Sequence, residues 1–126
     1  MRVPPKKRTR KAVRSAASAP RAARTLRPSG RAGVTLVVAL RARPGQEAAL
    51  EKELRALVGP TRAERGCIAY DLHVSSDQSG LFLLREIWAS LKYHQRHWET
   101  PHMQRWGQRK GALLASREAS FWKKIA

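Results

Sequence analysis

Residues 34–58 read VTLVVALRARPGQEAALEKELRALV, and this stretch decides the fold class of the chain. Residues 34–42 are apolar and rich in β-branched side chains, which is typical of a largely buried strand that ends at Pro44-Gly45. Residues 46–58 follow with apolar positions at the spacing of one helical face, namely Leu50, Leu54, Leu57 and Val58. A buried strand followed directly by an amphipathic helix indicates a mixed fold of helices and strands.

The rest of the chain alternates between further strands and helices. Gly59-Pro60 is expected to interrupt the first helix, with one more turn to about Arg65. Residues 67–75 alternate in polarity, which predicts a strand with one face shared by Ile68, Tyr70, Leu72 and Val74. The elements predicted after that strand are a turn at residues 76–80, a strand at 81–88, a helix capped by Ser90 to about residue 99, a short helix from Pro101 to about 114, and a strand at 117–125.

This order of elements, β-α-β-β-α-β with extra helical turns before the last strand, is the ferredoxin-like α+β pattern. A four-stranded antiparallel sheet then carries helices on one face only. We expect Val38, Phe82, Leu84 and Trp88 on the uncovered face, where apolar side chains need a partner. A sheet from an identical chain is the simplest partner, so the sequence predicts a homodimer.

The charge divides the chain into two parts. The chain has 126 residues, which suits one domain, with 26 Lys and Arg against 9 Asp and Glu. Residues 1–33 hold 11 of the basic residues and no acidic one, and every Trp, Phe and Tyr lies after them. We therefore predict a basic N-terminal tail at residues 1–33 and a folded domain at 34–126. The high net charge belongs mostly to the tail.

The tail is expected to be disordered, because its larger apolar residues are few and four prolines interrupt it. Three interpretations of its role stay open. The cluster Lys6–Lys11 (KKRTRK) has the composition of a segment that binds polyanions weakly and without sequence preference. The acid-free, Arg-, Ser- and Ala-rich composition also suits a transit peptide. Alternatively, the tail is only solvated, or the protein starts nearer Val34.

Several function classes find no support in the sequence. Cys67 is the only cysteine, so no intramolecular disulfide is possible, which suits a reducing compartment and a cytoplasmic location. No apolar stretch is long enough for a membrane span or a secretory signal. A phosphate-binding loop, a nucleophile elbow and a dinucleotide fingerprint are also missing. This pattern favours chemistry without a cofactor, or no chemistry.

Four short blocks follow one another along the predicted domain: Arg43–Glu47 (RPGQE), Glu64–Tyr70 (ERGCIAY), Glu86–Trp88 (EIW) and His97–His102 (HWETPH). In this order they resemble the antibiotic biosynthesis monooxygenase family, and its quinol monooxygenases in particular. The resemblance covers residues 34–126 and none of the tail. Two positions depart from the family pattern: Arg65 stands where proline is usual, and Tyr93 where a small apolar residue is common.

The resemblance implies a dimeric α+β barrel and leaves three functions open. The first is a cofactor-independent monooxygenase that oxidises a quinol or a polyketide-like aromatic compound with dioxygen. The second is a haem-binding or haem-degrading protein of the same fold. The third is a non-catalytic dimeric module that binds a small ligand.

The residues expected to carry the chemistry centre on two histidines. His97 is the candidate base for a phenolic substrate, since an imidazole titrates near neutral pH, although it could instead fix the turn at Thr100-Pro101. His102, in the first turn of the next helix, is the second catalytic candidate. The residues expected to bind the substrate are Tyr70, Glu86, Trp88, Tyr93 and Trp106. The pair His94 and His97 lacks an obvious completing ligand, so neither a metal nor a cofactor is expected.

Overall fold

The computed structural model describes residues 33–126, so the predicted tail, apart from Gly33, lies outside the described residues. Strands and helices alternate along the chain as β1 (Val34–Ala42), α1 (Glu47–Arg62), β2 (Cys67–Val74), β3 (Leu81–Trp88), α2 (Leu91–His97), α3 (Pro101–Leu113) and β4 (Leu114–Trp122). Within the described range, no helix is long and apolar enough to cross a membrane.

The four strands form one antiparallel sheet in the order β2-β3-β1-β4. β1 is central, with Val38 opposite Leu84 of β3 on one side and opposite Ala119 of β4 on the other. The helices cover one face of this sheet, which confirms the ferredoxin-like α+β fold.

The helices cover the face that the sequence analysis assigned to a partner. Val38, Phe82, Leu84 and Trp88 are all buried, with at most 4% of each side chain exposed. They belong to the same core as Leu50, Leu54 and Leu57 of α1. The expectation that they lie on the uncovered face is therefore wrong. The physical reason is that α1 follows β1 after a short turn and packs on the face carrying the larger apolar residues of β1.

The opposite face is the uncovered one. Residues that pair across β1 and β3 on this face are Thr35 with Ile87, Val37 with Arg85, and Ala39 with Leu83. Arg85 also bonds Asp71 of β2 through Nη1 and Oδ2 at 3.0 Å, as a cross-strand ion pair. This face is mixed in polarity rather than strongly apolar.

Three features of the elements differ from the predicted ones. α1 continues through Pro60 to Arg62. Pro60 withholds only one N–H bond, and Ala56, whose carbonyl loses that bond, is exposed and open to water. A bulge at the start of β2 turns Ile68 outward, so it does not share the face of Tyr70. β4 begins at Leu114 rather than at the predicted residue 117, since it follows α3 with no turn between them.

Candidate active site

Glu64 lies in the turn between α1 and β2, and backbone bonds hold it there. Its N–H donates to the Thr61 carbonyl at 3.0 Å, and its carbonyl accepts from the Cys67 N–H at 3.1 Å. Gly66 completes the turn at φ 86°, a conformation that favours glycine. The Glu64 side chain is only 12% exposed, so the turn directs its carboxylate inward.

The two predicted catalytic histidines lie on either side of the junction between α2 and α3. His97 is the last residue of α2, and His102 is in the first turn of α3. Thr100 caps α3 and accepts a bond from the Met103 N–H at 3.4 Å, while its hydroxyl donates to the His97 carbonyl at 2.7 Å. The backbone carbonyl of His97 thus fixes this turn, and its imidazole is left to bond elsewhere.

Both imidazoles converge on one oxygen of Glu64. His97 Nδ1 lies 2.7 Å and His102 Nε2 lies 2.6 Å from Glu64 Oε2. A carboxylate accepts and does not donate, so both ring atoms carry a proton in this arrangement. A neutral His97 therefore has its lone pair on Nε2, which makes Nε2 the atom that can take a proton.

Burial favours the neutral form of His97. Its side chain is 2% exposed. Loss of hydration lowers the pKa of His97, and the hydrogen bond to Glu64 opposes that effect without cancelling it. The site therefore contains an imidazole base whose orientation is set by a carboxylate.

A small cavity of about 10 Å³ borders His97 between the helices and the sheet. Besides aliphatic core residues, it is lined by Tyr70, Glu86, His97, Trp98, Trp106 and Arg117. Such a volume holds about one water-sized molecule. Of these residues, Arg117 is exposed and Trp98 is half-buried, so both side chains reach the protein surface. The Arg117 guanidinium lies 5.5 Å from the centre of the Trp98 ring.

The structure places four of the five predicted substrate-binding residues near His97. Tyr70, Glu86 and Trp106 line the cavity. The Trp88 ring centre lies 4.8 Å from that of His97, and Trp88 Nε1 donates to Glu86 Oε1 at 3.0 Å. Tyr93 is not among the lining residues. It packs against Gly66 instead, so close that a methyl group on Gly66 would collide with it.

Glu86 and Tyr70 are both buried ionisable groups. Burial raises the pKa of Glu86, while the Trp88 hydrogen bond and the positive charge of Arg117 oppose that shift. Burial and the nearby Glu86 carboxylate also raise the pKa of Tyr70, so it remains a phenol at neutral pH. Tyr70 therefore keeps a phenolic proton that it can donate in a hydrogen bond.

His94 does not join the histidine cluster on Glu64. Its Nε2 accepts from Trp98 Nε1 at 3.4 Å, and its ring lies beside Trp88 and Phe121. Burial is the main cause that lowers the pKa of His94. The ring centres of His94 and His97 lie 6.2 Å apart, but His94 bonds Trp98 and does not reach Glu64. His102 is therefore the histidine that shares Glu64 with His97.

A larger groove of about 480 Å³ runs along the outer side of α1 beside β2. Arg55, Val58, Leu72 and Val74 are among its lining residues, and it shares none with the cavity at His97. Although the groove is larger, the convergent titratable side chains lie at the small cavity. We therefore place the candidate active site at His97.

Sequence reasoning did not assign a role to Glu64. It lies within the block ERGCIAY, and it is 33 residues from His97 and 38 from His102. The available signal was an acidic residue just before the turn into a buried strand. Only the packing of α2 and α3 over that turn shows that the carboxylate meets both histidines.

Comparison with known proteins agrees with this fold. Residues 33–109 match the family model described as antibiotic biosynthesis monooxygenase. The described residues thus form a ferredoxin-like α+β fold with a buried histidine and carboxylate site. The chain belongs to the antibiotic biosynthesis monooxygenase family.

Two relatives show the extent of the similarity. A Mycobacterium tuberculosis protein named "Putative monooxygenase Rv0793" is 36% identical over 81 residues, which cover 64% of this chain and 79% of the relative. Its solved structure has a TM-score of 0.70, with 75% of this chain and 97% of that chain covered. The crystal structure of PA3566 from Pseudomonas aeruginosa has a TM-score of 0.73 and 39% identity, covering 78% of this chain and 99% of that chain.

Proposed function

We propose that this protein is a cofactor-independent monooxygenase that oxidises a quinol or a polyketide-like aromatic compound with dioxygen. The observation that supports the proposal most is the 2.7 Å bond between Glu64 Oε2 and His97 Nδ1. It fixes the tautomer in which Nε2 is the base, beside a cavity that Tyr70 and Glu86 also line. Names of relatives that include monooxygenase agree with the reaction class.

The proposed reaction begins with a proton transfer. His97 Nε2 takes the proton of a substrate hydroxyl, and the resulting phenolate passes an electron to dioxygen. The two radicals combine to form a carbon–oxygen bond. His97 returns its proton to the peroxide, and the oxygen–oxygen bond then breaks as the ring carbon that bears it loses its hydrogen as a proton. One oxygen atom stays on that carbon as a carbonyl, and the other leaves as water with these two protons. The substrate supplies all the electrons, and a quinol is converted into a hydroxyquinone.

Each neighbouring group has a defined part in this scheme. Glu64 orients His97 and stabilises the imidazolium that forms when Nε2 is protonated. His102 Nε2, 2.6 Å from the same carboxylate oxygen, holds Glu64 in position. The cavity of about 10 Å³ is only water-sized, so dioxygen and a substrate ring need more room. The ring makes this room by displacing Trp98 or Arg117, the lining side chains that reach the surface.

Oxygen uptake tests the proposal directly. The full-length protein is treated with a chelator and mixed with a panel of hydroquinones and anthrones in an oxygen electrode. Wild type should consume oxygen, and His97→Gln should lower kcat by roughly 10²–10⁴-fold, the usual contribution of a positioned base. Glu64→Gln should lower kcat more than it raises KM, because it acts on the orientation of the base.

His73→Gln is the matched control, since His73 is exposed on β2 and does not line the cavity. Its kcat should equal that of wild type. The proposal would be wrong if wild type consumed no oxygen with any member of the panel, or if His97→Gln remained fully active. A Soret band on titration with haemin would favour the haem-binding alternative.

A further inference from the structure

We propose that Glu64, His97 and His102 form a binding site for a divalent transition-metal ion such as Zn²⁺ or Co²⁺. One oxygen and two nitrogens from these side chains all lie within 4.8 Å of one another. Two imidazoles and one carboxylate are a ligand set that binds zinc and other first-row metals. The inference goes beyond the proposed oxygenase reaction and does not depend on it.

The three ligands come from separate elements that are held rigidly. Glu64 is fixed by the turn before β2, His97 by the end of α2, and His102 by the capped first turn of α3. Their side chains are between 2% and 13% exposed. Because their positions are set by the fold, little conformational entropy is lost when an ion is bound.

The distances are compatible with an ion after a small adjustment. Metal–ligand bonds of about 2.0–2.1 Å place tetrahedral ligand atoms roughly 3.3 Å apart. The hydrogen-bonded distances to Glu64 Oε2 are 2.6 and 2.7 Å. The carboxylate oxygen must therefore move about 0.6–0.7 Å away from both nitrogens, and the two rings must turn towards each other. The ion then occupies the centre. His97 Nδ1 and His102 Nε2 lose the protons that they donated to Glu64 and bind the ion through their lone pairs.

A bound metal ion would also change the role of His97 as the base of the proposed reaction. This effect, unlike the metal site itself, rests on the proposed function. An ion at His97 Nδ1 requires that nitrogen to be unprotonated, so a neutral imidazole carries its proton on Nε2. The atom facing the substrate would then donate rather than accept a proton. A bound ion should inhibit the oxygenase reaction, and a chelator should restore it.

Cobalt absorption tests the site without any substrate. Co²⁺ is titrated into untagged, full-length, chelator-treated protein, and visible d–d bands and their intensity are recorded. We expect saturable bands of the intensity typical of four- or five-coordinate cobalt, lost on addition of excess Zn²⁺. Glu64→Gln and His102→Gln should each weaken Co²⁺ binding by at least about 100-fold, since they remove a direct ligand. His73→Gln, which changes an exposed histidine, should bind as wild type does.

The cobalt titration can fail without affecting the oxygen-uptake experiment, so the two proposals are tested separately. Absence of d–d bands in wild type, or equal affinity in Glu64→Gln, would overturn the metal site and leave the oxygen-uptake result standing. A strong near-ultraviolet thiolate band would also overturn it, because Cys67 would then be a ligand. If a variant fails to fold, the Co²⁺-shifted ring signals of His97 and His102 in the wild-type NMR spectrum decide the question. Shifts at His73 instead would count against the site.

Discussion

Glu64 Oε2 accepts hydrogen bonds from two imidazoles, and this shared contact makes three residues act as one unit. The sequence predicted His97 and His102 as candidates because an imidazole suits proton transfer. It did not predict that the two rings meet on one carboxylate. Sequence separations of 33 and 38 residues carry no information on distance until α2 and α3 are packed over the turn.

Cys67 shows how surroundings can suppress the chemistry of a side chain. Burial, followed by the negative charges of Glu64 and Glu86, raises the pKa of the Cys67 thiol to about 11. At pH 8 its thiolate fraction is then about a hundredfold below that of a thiol with the ordinary value of 9.0. Iodoacetamide should label Cys67 about a hundredfold more slowly than free cysteine.

The raised pKa of Cys67 also determines how the labelling rate should change with pH. The labelling rate should rise about tenfold per pH unit and level off only near pH 11, as measured by mass spectrometry under native conditions. Unfolded protein, which lacks the burial, should be labelled at the rate of free cysteine. Rapid labelling of the folded protein at pH 8 would contradict the assignment.

At the scale of elements, the sequence predicted β1 and β3 with their observed bounds, because each is a continuous apolar run between turns. The predicted break at Pro60 failed because one missing bond at an exposed site does not end a helix. The bulge at Ile68 was not predicted, since alternation alone cannot show an extra residue in one strand.

The turn into β2 provides a test of how tightly the elements pack. Gly66 and Gly45 both have φ 86°, but of these two only Gly66 would place a Cβ atom in collision with a neighbour, the Tyr93 ring. Gly45→Ala should cost only the backbone strain, about 1–2 kcal/mol. Gly66→Ala should cost about 1–3 kcal/mol more, because Tyr93 must move as well.

Urea denaturation of the two variants measures the difference in the free energy of unfolding. The variant Gly66→Ala/Tyr93→Ala should lose part of the added cost, since the ring atoms nearest the new methyl group are removed. Equal stability of Gly45→Ala and Gly66→Ala would show that Tyr93 does not restrict this turn.

At the scale of the whole molecule, the fold class and the family were predictable, but the identity of the covered face was not. Alternation defines two faces of a strand without saying which one the helices meet. The uncovered face carries Leu83, 37% exposed, and Trp122, 62% exposed, beside half-buried Val37 and Ile87. We expect a second copy of the chain to cover this face.

Sedimentation measurements test that expectation. Wild type should sediment as a dimer, and Leu83→Glu should be monomeric, because a carboxylate at the centre of the interface would be buried without a partner. Ala48→Glu, which adds the same charge on the exposed side of α1, should remain dimeric. A wild-type monomer at micromolar concentration, or a dimeric Leu83→Glu, would show that the interface lies elsewhere.

The proposed chemistry depends most directly on which nitrogen of His97 carries the proton. Long-range ¹H–¹⁵N NMR spectra of the histidine rings, recorded on chelator-treated protein at neutral pH, distinguish the two nitrogens. The geometry at Glu64 predicts a protonated Nδ1 and an unprotonated Nε2 for His97, with a protonated Nε2 for His102. A proton on His97 Nε2 with a bare Nδ1 would contradict its role as the base.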